Sequence, residues 1–285
     1  MEVVNKFAPL AMAWIMFVVG TSTSINQFKE VIKFPKSLLL GFLTQVVFVP
    51  IIGIVIAYLS PVSDAYKIGI LLLSCVPSAV MSNYLTKTLN GNVALSISLT
   101  AICSFFSFIT IPFFLGVGLK LINSSETLNA IIIFSVAFKI FLIVTIPVLI
   151  GLIFKTFFEK IVVLLNKFFD TSSFLLFLVI ILSAAYIEKD ILVTGFKDIG
   201  ILVFIIFFSI FLICQSFLNQ FKLNKLDKRC ILTENVIQNN ALSIIVGGMM
   251  FAKYQGLLVF PAVYAIFQYK VFIIYILYRT FKYKQ

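Results

Sequence analysis

The sequence predicts an all-α polytopic membrane protein, and three observations carry that prediction. Hydrophobic residues make up 61% of the 285 positions and charged residues only 12%, with a mean hydropathy of +1.14 and 33 Phe. A soluble domain of this length has too little interior to hide so much apolar surface. The apolar residues are gathered into runs long enough to cross a hydrocarbon layer as helices, at about 7–24, 37–59, 68–86, 92–119, 129–153, 171–187, 199–217, 230–252 and 256–278. The gaps between these nine expected spans are short, so residues 1–285 read as a single integral membrane unit with no extramembrane domain.

The runs differ in what they carry. The first lacks a basic flank and a small-x-small cleavage site, so it reads as a mature membrane helix rather than a signal peptide. The second holds Gln45 and Pro50. The third carries Pro77-Ser78 and then Ser82-Asn83; proline removes a backbone donor and clashes with the preceding turn, so the helix is expected to break near Pro77. The fourth places Ser96 and Thr100 four residues apart, hence on one helix face. The fifth, sixth and seventh have no such interruption, although the fifth includes Lys139. The eighth contains Glu234-Asn235-Val236-Ile237-Gln238-Asn239-Asn240 and later Gly247-Gly248, and the ninth contains Gln268, Tyr269 and Lys270.

Glu234 is the one carboxylate among 11 Asp and Glu that stands well inside an apolar run. A carboxylate in a membrane span costs several kcal/mol, of order 3, unless a cation or partner meets it, so it marks a functional site. Its amide-rich neighbourhood makes sense only where it lines a polar cavity or an ion. Two interrupted helices in corresponding places of two halves point to a transporter site near the membrane midplane. The third and eighth runs correspond in this way if the first half lacks one leading helix.

Charge gives the orientation. Of 22 Lys and Arg, 14 lie in the gaps after odd-numbered runs and in the tail from Arg279, against 6 at the N-terminus and in the even-numbered gaps. Basic residues stay cytoplasmic in short loops, which places the C-terminus inside and the N-terminus outside a cell (plasma or inner) membrane. The net charge of +11 is then a topology signal with anionic lipid headgroups as partner, and no soluble basic domain exists to bind nucleic acid. Cys75, Cys103, Cys214 and Cys230 lack CxxC spacing and His is absent, so neither a disulfide framework nor a zinc or haem site is indicated. Without His, GxSxG or a metal-binding run, no hydrolase is indicated either, and the protein is not expected to be an enzyme. One polar crossover, rather than polar stripes along several helices, favours an occluded carrier site over a channel.

A hard monovalent cation wants several oxygen ligands. Ser96 and Thr100, Glu234 and Gln238 with the same four-residue spacing, Ser82 and Asn83 beside the break, and Gln45 can bring four segments to one polar core. Ser and Thr in membrane helices also bond back to their own backbone, Gln45 serves equally as interhelical glue, and a buried carboxylate without a partner can protonate. Proton coupling through Glu234 is therefore the alternative to sodium coupling.

In combination these motifs resemble the bile acid:sodium symporter family. The residues that carry the resemblance are Phe28 with Pro35, Gly41-Phe-Leu-Thr-Gln45 with Pro50, Cys75-Val-Pro77-Ser-Ala-Val-Met-Ser82-Asn83, Gly91-Asn-Val-Ala-Leu-Ser96 with Thr100, and Glu234 to Asn239. They occur in family order and spacing from about residue 7 to 281. The resemblance implies an inverted-repeat transporter in its nine-helix form. A core, at approximately 37–119 and 199–278, would hold two crossing broken helices, and a panel would lie at approximately 7–24 and 129–187. It also implies sodium-coupled symport of a small organic anion, bile-acid-like or a carboxylate such as pantoate or a keto acid, by alternating access.

Two Na+ sites are implied. One would use Ser82, Asn83, Ser96, Thr100 and Glu234, and the other Gln45, Glu234, Gln238 and the backbone at Asn235 and Ile237. Substrate would meet Asn239, Val80, Gln268 and Tyr269. Here the chain departs from the family's pattern: Ser78-Ala79-Val80 stands where Gly-Gly-Thr is common, and Gln268-Tyr269 where some members have His-Asn. Lys139 and Lys270, cations inside spans, either snorkel to an interface or pair with an anionic substrate.

Overall fold

A computed structural model describes residues 2–23, 35–122, 130–251 and 254–282, and among these every regular element is helical. The order is α1 (Glu2–Ser22), α2 (Pro35–Leu43), α3 (Val49–Leu59), α4 (Asp64–Cys75), α5 (Met81–Thr88), α6 (Val93–Leu121), α7 (Ala130–Ile140), α8 (Ile146–Phe157), α9 (Glu159–Ile187), α10 (Lys189–Asn219), α11 (Lys225–Val236), α12 (Asn240–Phe251) and α13 (Val259–Lys282). Among the described residues five stretches are long and apolar enough to cross a membrane: Pro35–Leu59, Val93–Leu121, Phe134–Phe157, Glu159–Ile187 and Gly195–Asn219. Large apolar side chains such as Leu164, Ile131 and Ile201 are 82%, 79% and 76% exposed, an outer surface that suits hydrocarbon and not water. The chain is an all-α polytopic membrane protein. Phe28, Lys253 and the end of the tail lie outside the described residues.

Two pairs of helices are continuous through a π turn. Thr44–Phe48 joins α2 to α3 and Phe141–Thr145 joins α7 to α8. Each is followed, one residue on, by a proline, Pro50 and Pro147. Proline offers no N–H to the carbonyl four residues back, so the turn widens, and the N–H groups of Val49 and Ile146 reach back five residues to the carbonyls of Thr44 and Phe141.

Two helices are broken. After α4 the chain runs extended from Val76 and resumes as α5 at Met81; the interruption expected near Pro77 is found. After α11 the backbone leaves the helix at Ile237 (φ −96°, ψ 94°) and resumes as α12 at Asn240. The two gaps lie against each other. Ser78 and Gln238 form an isolated antiparallel bridge, and the Asn239 N–H donates to the Pro77 carbonyl at 3.0 Å.

The packing falls into two neighbourhoods. Helices α1, α8 and α9 pack together, with the Trp14 indole donating to Ser172 Oγ at 2.9 Å, stacking on Phe17 and meeting Phe169 edge-on. Gly20 and Gly151 make the α1–α8 crossing possible, since a Cβ on either would stand 2.1 Å from a carbonyl oxygen of the other helix. Helices α3, α4, α10, α11, α12 and α13 pack around the crossing of the two gaps, and α6 touches both neighbourhoods. At the end of α9, buried Glu188 accepts the Gly256 N–H with both carboxylate oxygens, at 3.2 and 3.1 Å, and so pins the loop that leads into α13. Lys139 on α7 and Lys270 on α13 are both exposed.

Candidate functional site

Glu234 lies in the last turn of α11, 2% exposed, and neutral hydroxyls from the first break, the start of α5 and α6 close around it. Ser82 donates to Oε1 at 2.6 Å and Thr100 to Oε2 at 2.8 Å; Ser96 also donates to Oε1 and Ser78 to Oε2. Each carboxylate oxygen is thus flanked by two hydroxyls. Asn83 completes the group, its Oδ1 accepting from Ser96 Oγ at 2.9 Å and from Thr100 Oγ1 at 3.4 Å. Helix α6 supplies Ser96 and Thr100 from one face, as their spacing predicts, and the start of α5 supplies Ser82 and Asn83.

A hydroxyl carries one proton. Four hydroxyls here face the two oxygens of Glu234, the Asn83 carbonyl, the Ala79 carbonyl at 2.7 Å from Ser82, and one another. Oxygens outnumber the hydroxyl protons that can bridge them, so lone pairs remain that a hard cation can engage. Among the described residues no three or more His, Cys, Asp or Glu gather as a metal cluster. Hydroxyl, amide and single-carboxylate donors suit an alkali cation rather than a transition metal.

A second polar group lies beside the first. Gln45, in the π turn, donates through Nε2 to the Val76 carbonyl and to Gln238 Oε1, both at 3.2 Å. Gln238 Nε2 donates to the Asn235 carbonyl, and its backbone N–H donates to Gln268 Oε1 at 3.2 Å. Thr44 donates to Asn235 Oδ1 at 3.3 Å. Among the described residues Gln45 Oε1 is buried and meets no hydrogen-bond donor, an acceptor left open beside the crossing. Ile237, fully buried in the break, donates its N–H to the Thr233 carbonyl.

The spacing argument for Glu234 and Gln238 needs correction. The helix ends at Val236, so these two do not share a helical face; Gln238 reaches the site from extended backbone, held by its bridge to Ser78.

A cavity of about 510 Å³ runs from the crossing toward the ends of α1, α5 and α8. Its inner wall includes Ala79, Val80, Asn83, Asn239 and Tyr269, and its sides are apolar, with Ile15, Phe174 and Phe177. Lys87, Lys155, Asn166 and Asp170 stand toward its mouth. Of the residues expected near substrate, Val80, Asn239 and Tyr269 line this cavity. Gln268 does not, being fully buried against Gln238. Asn83 belongs to both the oxygen cage and the cavity wall.

Sequence reasoning misses Ser78 as a partner of Glu234, because in sequence Ser78 stands only as a replacement in the break. It also misses the buried carboxylate Asp227, which accepts from Ser37 Oγ at 2.6 Å and Asn92 Nδ2 at 2.8 Å and so ties α2 and the start of α6 to α11. Asp227 stands four residues into a polar stretch of sequence and carries no local sign of burial.

Broken helices that meet near the middle of a helical bundle are the arrangement in which secondary transporters place their ion and substrate sites. The sodium bile acid symporter family profile matches residues 9–195, and the chain belongs to that family. Among curated relatives, the probable sodium/metabolite cotransporter BASS3 (chloroplastic) of Oryza sativa subsp. japonica is 32% identical over 156 residues, 55% of this chain and 35% of that protein. The uncharacterized sodium-dependent transporter YocS of Bacillus subtilis is 26% identical over 159 residues, 55% of this chain and 47% of that protein. The ileal sodium/bile acid cotransporter of Mus musculus is 26% identical over 126 residues, 44% of this chain and 36% of that protein. The matched segments thus span less than half the length of these relatives.

Proposed function

We propose that the protein is a sodium-coupled secondary active carrier of a small organic anion, working by alternating access. The observation that carries this reading is the cage around Glu234, in which oxygens exceed the protons that could bridge them. A sodium ion would take Ser82, Asn83, Ser96, Thr100 and Glu234. A second would take the open Gln45 Oε1, Gln238, Glu234 and backbone carbonyls at Asn235 and Ile237. The names of the matched relatives, sodium/metabolite, sodium-dependent and sodium/bile acid transporters, support the same coupling.

The two packing neighbourhoods supply the moving parts. Helices α1 and α7–α9 form the panel, and α2–α6 with α10–α13 the core, as nine crossings in the membrane of the cell. Asn83 provides the link between ions and substrate, since a cation that fixes its amide also fixes one wall of the cavity. The apolar sides and the lysines at the mouth favour an anion with an apolar body. With the charge-derived orientation, that mouth faces the cytoplasm. Single cysteines at Ser63 and Gln220 in a cysteine-free background test the orientation: an impermeant thiol reagent applied outside labels position 63 and spares position 220, and the reverse pattern inverts it.

Uptake into proteoliposomes tests the coupling. With a panel of small carboxylates and bile acids, an inward sodium gradient at equal pH on both sides drives accumulation, and a proton gradient without sodium does not. Accumulation driven by protons alone would establish the alternative, in which Glu234 titrates.

A further inference from the structure

We infer that Ser78 is an additional cation ligand of this chain and the residue that couples its two cation groups, an inference that rests on the sodium reading above. Ser78 sits in the first break, fully enclosed at 1% exposure. Its hydroxyl donates to Glu234 Oε2 and stands 3.2 Å from Thr100 Oγ1. With Ser78 the first cage holds six side-chain donors, namely Ser78, Ser82, Asn83, Ser96, Thr100 and Glu234. Without it, Oε2 of the carboxylate keeps only Thr100.

The same residue reaches the second group through its backbone. Ser78 is bridged to Gln238, whose amide meets Gln45, and the neighbouring Pro77 carbonyl accepts from Asn239. A cation that draws the Ser78 hydroxyl toward itself therefore pulls on the strand pair that presents Gln238 and Asn239. The hydroxyl changes its role between states. In the cation-free cage its proton goes to Glu234; with a cation bound its lone pairs face the ion and its proton turns to another oxygen of the cage, with no bond broken and no charge moved.

Residues adjacent in sequence do not share this geometry. Ala79 has no side-chain oxygen, its carbonyl being taken up by Ser82, and Val80 lines the cavity, so side-chain coordination rests on Ser78 alone within the Pro77–Val80 segment. Among the described residues the Ser78 hydroxyl bonds to Glu234 and Thr100 alone, so no other contact calls for it.

Sodium-dependent thermal stabilisation of the purified protein tests the inference without any substrate, because a ligand bound to the native state raises apparent stability. Sodium is titrated against choline at constant ionic strength, and the midpoint of the response is compared among wild type, Ser78→Ala, Ser78→Gly and Ser78→Thr. Loss of one ligand that bonds a charged group raises the midpoint about tenfold in the Ala and Gly variants, and the Thr variant returns it to within about threefold of wild type. Ser78→Gly provides the measurement if Ser78→Ala does not fold. A lowered melting temperature in choline with an unchanged sodium midpoint assigns Ser78 a structural role and overturns the inference, as does failure of Thr to restore the midpoint. A wild-type protein that does not respond to sodium overturns the sodium reading itself, a different outcome read from a different sample.

Discussion

The two breaks that cross at the centre of the molecule are made in different ways. In the first, Pro77 interrupts the helix and small residues with hydroxyls surround the gap; α5 then starts at Met81 behind Val80, with no side-chain cap. In the second there is no proline. Asn239 caps α12 by accepting the Leu242 N–H at 3.0 Å, and the gap is filled by amides. The first break contributes neutral oxygens, and the second contributes the carboxylate. The consequence is an unequal division of labour: ligands on the first break are partly interchangeable, whereas the charge on the second has no substitute in the cage.

Glu234→Gln breaks that asymmetry most severely. It removes the only formal negative charge among the cage residues while keeping the shape of the side chain, in surroundings where an ion pair is far stronger than in water. Sodium-driven uptake falls to background while the detergent-purified protein keeps its size-exclusion profile. Wild-type uptake in this variant would remove Glu234 from the centre of the mechanism.

Ligands on either side of the carboxylate sharpen the comparison. Ser96→Ala and Thr100→Ala each raise the sodium concentration for half-maximal uptake by about tenfold, the worth of one hydrogen bond to a charged group. Gln45→Ala does the same through the second group. Combining Ser96→Ala with Gln45→Ala separates the groups: if they are independent, the two effects multiply, and if the shared Glu234 and Ser78 link them, the double variant departs from the product.

How far the sequence discloses this arrangement depends on whether a residue's chemistry or its position makes it conspicuous. Glu234 and its amides stand out because polar groups in an apolar run have no other reason to be there, and Ser96 with Thr100 because four-residue spacing fixes a shared face. The break at Pro77 is equally local. Spacing alone puts Gln238 on a helical face because nothing local marks the end of α11 two residues earlier; the bridge to Ser78 holds it extended. The Gly20–Gly151 contact joins residues far apart in the chain and is invisible to any local pattern. In sequence Ser78 shows only as the loss of a glycine, since its partner Glu234 is 156 residues away.

The second break is held by its cap, and Asn239→Ala tests it. Loss of the Asn239 side chain removes the acceptor for the Leu242 N–H, which costs about 1 kcal/mol of stability, within a range of roughly 0.5–2. Thermal denaturation in choline reads this loss directly. No equivalent cap exists at the start of α5, so Val80→Ala leaves the choline melting temperature within about 1 °C of wild type. Equal losses at both positions would show that the two breaks are held alike.

The smallest effect concerns the contact between α9 and the loop before α13, outside the crossover. Burial pushes the Glu188 carboxyl up from the ordinary glutamate value of 4.5, and the backbone N–H groups of Gly256 and Leu258 pull it part of the way back. Gly256 has φ +91°, so the loop itself tolerates little change there. Because the folded value lies above the unfolded one, the folded state binds the proton more tightly, and the associated stability is present at low pH and lost as pH rises through the folded value. Glu188→Gln keeps an acceptor for Gly256 but cannot ionise. The melting temperature of the variant, followed from pH 4 to 8, should therefore match wild type at the acid end and exceed it slightly at the neutral end, about 1–2 °C apart. A wild-type protein that gains stability relative to the variant on raising the pH would mean that the N–H groups outweigh burial at Glu188, and that this contact, unlike the crossover, is strengthened by its charge.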